Sequence, residues 1–160
     1  MRRLSFLLLL VVFGCSTSQK ESGAIELADL RLTDLAGSPV DLDQYKNKTV
    51  LVNVWATWCR PCLQEMPTLA GAQATFSNEP IVFLFASNET LKQIEGFKQR
   101  QKFDFNYLHL NNQEELGILA LPTTFIFNKE GELKFSEAGY RNWVSDESTQ
   151  LISSILNDTK

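Results

Sequence analysis

The sequence has few of the residues that build disulfide frameworks, metal clusters or nucleic-acid surfaces. Its 160 residues include three cysteines and one histidine, too few for a disulfide network or a histidine-rich metal site. Positive charge is not in excess, because 15 Lys and Arg stand against 19 Asp and Glu. A basic face is what neutralises phosphates, so we expect no nucleic-acid partner. The hydrophobic content of 44% is that of a globular chain able to form its own core.

The sequence also lacks an N-terminal apolar run long enough to cross a membrane. The segment Leu4–Phe13 is interrupted only by Ser5, and as a helix it would reach about 15 Å, against a bilayer core of about 30 Å. Because Arg2 and Arg3 precede it, this run has the pattern of a secretory signal peptide.

A cysteine stands at the end of that apolar run. The segment Val12–Cys15 resembles the lipobox of bacterial lipoproteins, which implies cleavage before Cys15 and lipid attachment to it. The alternative is a plain signal peptide with an incidental cysteine. We therefore expect a signal peptide at 1–14, a lipid-anchored tether at 15–27 and a domain at 28–160. This places the protein in the bacterial cell envelope, outside the cytoplasm and anchored to a membrane.

The domain alternates strand and helix patterns. Apolar and alternating runs predict strands at Val50–Trp55, Ile81–Phe85, Phe105–Leu108, Thr124–Phe127 and Leu133–Phe135. Apolar spacing and capping residues predict helices at Cys59–Phe76, around Leu91–Phe97, at Gln113–Leu119 and after Ser145. A turn signal at Ala36–Pro39 predicts a small N-terminal hairpin. This order of elements predicts an α/β fold with helices on the faces of a sheet.

The chemistry is concentrated in the motif Trp58–Cys62, which follows a buried strand at the start of a helix. Two cysteines three residues apart can close a small disulfide ring there. The free N–H groups and positive dipole end of the helix favour a thiolate at Cys59, and Arg60 adds a positive charge. We therefore expect Cys59 to attack and Cys62 to resolve the resulting mixed disulfide.

Two other uses of the cysteine pair are less favoured. A structural zinc site needs about four ligands, more than two thiols and one histidine supply. A permanent disulfide across so short a ring would constrain the unfolded chain little. Because the Cys59–Cys62 pair would itself carry the electrons, we expect no cofactor and no metal.

Two separate motifs carry a resemblance to a known family. Trp55–Cys62 followed by Glu65–Pro67, and then Leu121–Phe125, resemble the thioredoxin-like proteins of the TlpA, ResA and CcmG type. The resemblance implies a thioredoxin fold: a mixed central sheet flanked by helices, with an N-terminal β-hairpin and a helix–strand insert. It also implies that Pro122 is a cis-proline packed against the two cysteines.

The resemblance assigns a role to Glu65, three residues after Cys62. The corresponding residue in the family is an active-site acid, so Glu65 would exchange a proton with Cys62. The alternative is a solvated helix glutamate. Asn53, in the preceding strand, occupies the place where thioredoxin has a buried aspartate. Because an amide does not titrate, we expect Asn53 to be a hydrogen-bonded strand residue only.

Substrate contacts are expected from residues around the cysteines: Trp58, Arg60, Pro61, Leu121 and Pro122. The Leu121 backbone would pair with a substrate chain like an added strand. Trp58 would shield the sulfur or offer a docking surface, and a core position is the alternative. Gly139 would allow close backbone approach to Pro122 or be an ordinary turn glycine. Trp143 and His109 suggest only packing or surface positions.

These observations predict a lipid-anchored thiol–disulfide oxidoreductase that acts as a reductase. Its partners would be protein disulfides, such as those of an apocytochrome c, and a membrane electron donor of the CcdA/DsbD type. One alternative is a thiol peroxidase, although related peroxidases have Thr where Ala56 stands, three residues before Cys59. Another is a copper chaperone, although its cysteine spacing is longer and His109 lies in the wrong segment.

Overall fold

The computed structural model describes residues 25–158. Within this range, six strands form one sheet: β1 Leu32–Thr33, β2 Thr49–Val54, β3 Ile81–Ser87, β4 Asn106–Leu110, β5 Thr123–Phe127 and β6 Leu133–Ala138. The α-helices are α1 Arg60–Thr75, α2 Leu91–Arg100 and α3 Asp146–Leu156. Two short 3-10 helices, Leu27–Asp29 and Leu42–Tyr45, precede β2. The predicted signal peptide and Cys15 lie outside the described residues.

The sheet is mixed, with the strand order β1-β4-β3-β2-β5-β6. Strands β2, β3 and β4 are parallel neighbours, while β5 pairs antiparallel with both β2 and β6. Every residue of β2 is buried, as expected of a central strand covered on both faces. The predicted α/β thioredoxin fold with its mixed sheet is confirmed, including the insert formed by α2 and β4.

The two faces of the sheet are covered differently. One face packs against all three α-helices, through residues such as Leu69, Ile94 and Ile152. The other is covered by the N-terminal segment, the 3-10 helices and the turns after β4, through residues such as Leu30 and Ile118. The α-helices of the described residues therefore lie on one face of the sheet, and the 3-10 helices and turns lie on the other.

The predicted short helix at Gln113–Leu119 is wrong. Residues 111–117 form turns, with one α-helical bond from the Leu116 N–H to the Asn112 carbonyl at 3.2 Å and one 3-10 bond from the Gly117 N–H to the Glu114 carbonyl at 3.0 Å. Gly117 has a φ of 65°, outside the right-handed helical region. The Asn112 side chain binds the backbone of Asp29 and Arg31, which ties this turn to the N-terminal segment.

The predicted N-terminal hairpin is smaller than expected. Thr33 forms an isolated antiparallel bridge with Pro39 around the expected turn, but the second arm is not a strand. Instead, the Asp41 side chain accepts from the Asp43 N–H and caps the 3-10 helix Leu42–Tyr45. Residues 25–27, assigned to the tether by the sequence, pack against the domain, where Leu27 is buried.

Candidate active site

The cysteine pair lies where the buried strand β2 passes into α1. Cys59 is the N-cap of α1, with an extended backbone, and its Sγ accepts from the Cys62 N–H at 3.3 Å. The two cysteines form a disulfide, with Cα atoms 5.3 Å apart. A sulfur at this position faces a helix N–H that has no partner within the helix, and the positive end of the helix dipole. The geometry therefore favours negative charge on Cys59 Sγ when the disulfide is reduced.

The motif divides into buried cysteines and exposed neighbours. Cys59 is 3% exposed and Cys62 is 1% exposed, so the two cysteines differ little in access in the disulfide form. Trp58 is 73% exposed, which excludes a core position and leaves its indole free at the surface. Arg60 and Pro61 are exposed as well.

Pro122 lies at the start of β5, beside the same core. The Leu121–Pro122 peptide bond is cis, and Leu121 packs against the core cluster that contains Cys59 and Cys62. The Gly139 N–H donates to the Pro122 carbonyl at 2.7 Å. Gly139 has a φ of 109°, a backbone conformation that favours glycine. The predicted close approach of this glycine to Pro122 is therefore observed.

Glu65 is buried one turn beyond Cys62, so the alternative of a solvated helix glutamate is wrong. It is 0% exposed, and its Oε1 accepts from the Trp143 indole Nε1–H. Its Oε2 has no hydrogen-bond partner among residues 25–158. The Trp143 indole thus binds the carboxyl group through Oε1, and the Arg141 backbone and the Asn53 amide lie close to the same group.

Burial raises the pKa of Glu65 to about 7, because removal from water penalises the carboxylate. The Trp143 indole N–H, the Arg141 backbone and the Asn53 amide lower this pKa, while the negative charge of Glu137 raises it. A carboxyl group that titrates near neutrality can both accept and release a proton at ordinary pH.

Asn53 has the expected role of a hydrogen-bonded strand residue. Its Nδ2 donates to Thr124 Oγ1 at 2.9 Å, which joins β2 to β5. Its amide also faces Glu65, although Asn53 itself does not titrate.

Sequence reasoning missed two residues that contact the active site. It assigned Trp143 only to packing or surface. In the structure, the Trp143 indole N–H donates to Glu65, which lies 78 residues earlier in the sequence. It assigned no role to Glu89, which binds Thr57, two residues before Cys59. No local signal in the sequence marks either partner, because both contacts depend on the tertiary fold.

The exposed large hydrophobic residues in the described part of the chain all neighbour this site in sequence. They are Trp58, Leu63, Leu119, Tyr140 and Val144. The first two flank the cysteines, Leu119 is two residues before Leu121, and Leu119 is 98% exposed. Tyr140 follows Gly139, and Val144 follows Trp143. We call these five residues the apolar rim.

From residue 25 to residue 158, no helix is long and apolar enough to cross a membrane. Within the same range, no three His, Cys, Asp or Glu side chains lie together where they could hold a metal ion.

Known proteins resemble the chain over most of its length. A protein-family model described as the AhpC/TSA family matches residues 25–136. The thioredoxin-like protein YneN of Bacillus subtilis is 32% identical over 130 residues, which cover 76% of each chain. The thiol-disulfide oxidoreductase ResA of Geobacillus thermodenitrificans is 30% identical over 146 residues, covering 84% of this chain and 83% of ResA.

A solved structure also resembles this chain. A Bacteroides vulgatus protein, described as a thiol-disulfide oxidoreductase, superposes with a TM-score of 0.70 at 27% identity. The superposition covers 82% of this chain and 93% of the other.

Proposed function

Since the chain belongs to the AhpC/TSA family and is a thiol-disulfide oxidoreductase of the TlpA/ResA/CcmG type, we propose that it reduces protein disulfides outside the cytoplasm. The observation that carries the proposal is the Cys59–Cys62 disulfide at the N-terminus of α1. In this proposal the disulfide is redox-active and needs no further cofactor.

The reaction proceeds in two exchanges. The Cys59 thiolate attacks one sulfur of a substrate disulfide, forms a mixed disulfide and expels the other substrate sulfur as a thiolate. Cys62 then loses its proton, attacks Cys59 Sγ and releases the second substrate thiolate. Both substrate thiolates take up protons. Two electrons have passed to the substrate, and the Cys59–Cys62 disulfide seen in the structure is the product.

Glu65 takes the proton that Cys62 must lose. It lies one helical turn from Cys62, and its Oε2 has no hydrogen-bond partner among the residues described. Its pKa of about 7 means that a useful fraction is carboxylate at neutral pH. Glu65 is thus the active-site acid and base of the second exchange.

The apolar rim favours a protein as the substrate. Exposed aromatic and aliphatic side chains that are close in sequence to the residues of a redox centre would bind an extended or unfolded segment through its own apolar residues. In this proposal Trp58, Arg60 and Pro61 contact the substrate on one side, and Leu121 with Pro122 on the other. An apocytochrome c is a substrate of this kind, because its cysteines must be reduced before haem attachment.

The proposed direction of electron flow rests on the proposed compartment. An oxidising environment already forms disulfides, so a reductase has work to do there. A membrane electron donor of the CcdA/DsbD type would return two electrons to the Cys59–Cys62 disulfide.

A redox titration of the cysteine pair tests the direction. We expect a potential closer to the value of about −270 mV found for thioredoxin than to the value of about −120 mV found for DsbA. A potential near the DsbA value would contradict the reductase assignment. Assays with hydrogen peroxide and with copper test the two alternatives. Peroxide turnover faster than disulfide reduction would replace the reductase assignment with a thiol peroxidase. Tight copper binding by the reduced cysteine pair would replace it with a copper chaperone.

The membrane anchor is tested by fractionating cells that express the full chain. We expect wild type in the membrane fraction and Cys15→Ala in the soluble fraction. Cys59→Ala is the matched control, because it also loses one thiol and should stay in the membrane fraction. Unchanged fractionation of Cys15→Ala would contradict a lipid anchor at this residue.

A further inference from the structure

The loop between β6 and α3 is bonded to one turn of α1 at two points. The Trp143 backbone N–H donates to Thr68 Oγ1 at 3.2 Å, and Thr68 Oγ1 donates to the Glu65 carbonyl at 2.8 Å. The Trp143 indole N–H reaches the Glu65 carboxyl group directly. Backbone and side chain of Trp143 are therefore both tied to the helix turn that carries Glu65.

Arg141 holds this loop in place from the other side. Its Nε and Nη2 donate to the two carboxylate oxygens of Glu137, at 3.1 and 2.8 Å. Its guanidinium also lies over the rings of Phe135 and Trp143, at 5.2 and 5.8 Å from their centroids. A paired and stacked arginine leaves the loop little freedom to move Trp143 away from Glu65.

We propose that Trp143 is a positioning residue of the active site, whose indole N–H fixes Glu65 Oε1 and leaves Oε2 to take the proton from Cys62. The proposal rests on the reductase function proposed above and assigns the group that prepares its proton acceptor. A tryptophan indole only donates, so it can bind the carboxyl oxygen in either protonation state but can never take the proton itself.

The proton moves from the Cys62 thiol to the Glu65 carboxylate. In the mixed disulfide, the Cys62 S–H bond breaks and an O–H bond forms at Glu65 Oε2. The Cys62 thiolate then forms the bond to Cys59 Sγ, and the substrate sulfur leaves with its electron pair. The protonated Glu65 later gives its proton to solvent or to the departing thiolate. No oxidant beyond the substrate disulfide is needed.

The groups around Glu65 determine how Trp143 acts on its charge. The groups that act on its charge are the Asn53 amide on β2, the Glu137 carboxylate on β6, and the Arg141 backbone and Trp143 indole in the loop. On α1, Cys62 lies three residues before Glu65. Glu137 is paired with Arg141, which offsets its repulsion. Removing the indole N–H would take away a donor that favours the carboxylate, so Glu65 should hold its proton to higher pH.

The test compares Trp143→Phe with wild type in the full chain. In the oxidised protein, where the cysteines do not titrate, Glu65 is followed by NMR of its labelled carboxyl carbon. We expect the Glu65 midpoint to rise by about one unit in Trp143→Phe, the size of one hydrogen bond to a charged group. The pH midpoint for resolving the mixed disulfide should rise by the same amount.

Trp55→Phe is the matched control. Its Nε1 is buried and has no hydrogen-bond partner in the described chain, so this variant also loses an indole N–H from the core. It should leave the Glu65 midpoint unchanged. Equal midpoints in Trp143→Phe and wild type would overturn the proposal, and so would an equal rise in Trp55→Phe.

A double-mutant cycle separates positioning from a structural effect. If Trp143 acts through Glu65, adding Trp143→Phe to Glu65→Gln should not slow the second exchange further. A further slowing of several-fold would show that Trp143 only supports the fold.

One measurement needs no variant, in case Trp143→Phe does not fold. In oxidised wild type, the Trp143 indole proton resonance should shift with pH at the Glu65 midpoint, and a pH-independent resonance would overturn the proposal. Because this titration requires no substrate, its outcome is distinct from any failure of the reductase function.

Discussion

Glu89 binds Thr57 with both oxygens of its carboxylate. Its Oε2 accepts from the Thr57 backbone N–H at 2.6 Å, and its Oε1 accepts from the Thr57 hydroxyl at 2.7 Å. Glu89 follows β3, whereas Thr57 lies in the loop that leads from β2 to Cys59. A single carboxylate from a neighbouring strand end thus fixes the approach to the cysteine pair.

We predict that Glu89→Gln lowers the free energy of unfolding by about 1–3 kcal/mol, because one of the two oxygens that accept from Thr57 becomes an amide donor. Urea unfolding of the oxidised protein measures this change. Glu79→Gln is the control, since Glu79 is exposed and its loss of charge should change stability little. Equal effects of the two substitutions would show that the contact with Thr57 contributes nothing specific.

The buried carboxyl group of Glu65 should make stability depend on pH. Its pKa is about 7 in the folded protein, against an ordinary 4.5, so the folded state holds the proton more tightly. This contribution is complete below about pH 4.5 and is lost as pH rises through about 7, at a cost of about 3 kcal/mol. Glu65→Gln cannot titrate and should lack this loss.

Urea unfolding of the oxidised forms of wild type and Glu65→Gln from about pH 4 to pH 8 tests the sign. We expect the free energy of unfolding of Glu65→Gln to increase relative to that of wild type as pH rises. Parallel curves would contradict the raised pKa of Glu65.

Serine substitutions of the two cysteines should differ in whether they trap a mixed disulfide with substrate. We predict that Cys62→Ser accumulates a mixed disulfide with substrate, because Cys59 still attacks and nothing resolves the product. Cys59→Ser should neither trap nor reduce. Intact mass spectrometry under non-reducing conditions measures the adduct. Trapping by Cys59→Ser would reverse the two roles.

Gly139→Ala should destabilise the protein by about 1 kcal/mol or more, because its φ of 109° is unfavourable for alanine. Thermal unfolding measures the loss. Gly96→Ala is the control, since Gly96 lies within α2 and alanine favours a helix by up to about 1 kcal/mol. The prediction is wrong if both substitutions change stability in the same direction.

Local patterns in the sequence were sufficient for the elements that carry the cysteines. The apolar run of β2 and the cysteine spacing located Cys59 at the start of α1, within one residue of the observed boundary. The amphipathic spacing of α2 and the Ser145 cap of α3 were equally informative. Each signal depends on neighbours a few residues apart, which is the range over which periodicity and capping act.

Contacts that join distant segments could not be predicted. Nothing near Trp143 in the sequence indicates Glu65, and nothing near Glu89 indicates Thr57, 32 positions earlier. The same limit explains the wrong helix at Gln113–Leu119. Its apolar spacing suits a helix, but Asn112 and Gly117 turn the chain to meet the N-terminal segment. Tertiary contacts outweighed the local preference there.

The separation of Glu65 from Trp143 matters while the polypeptide is being made. A chain synthesised from its N-terminus presents Cys59, Cys62 and Glu65 long before Trp143, which lies 78 residues after Glu65. Strand β5, one of the two neighbours of β2 in the sheet, also arrives late. Until then Glu65 is hydrated and behaves as an ordinary surface acid. A nascent or truncated chain therefore carries the complete cysteine motif without the buried carboxyl group of Glu65, and acquires that buried environment only when its last third has folded.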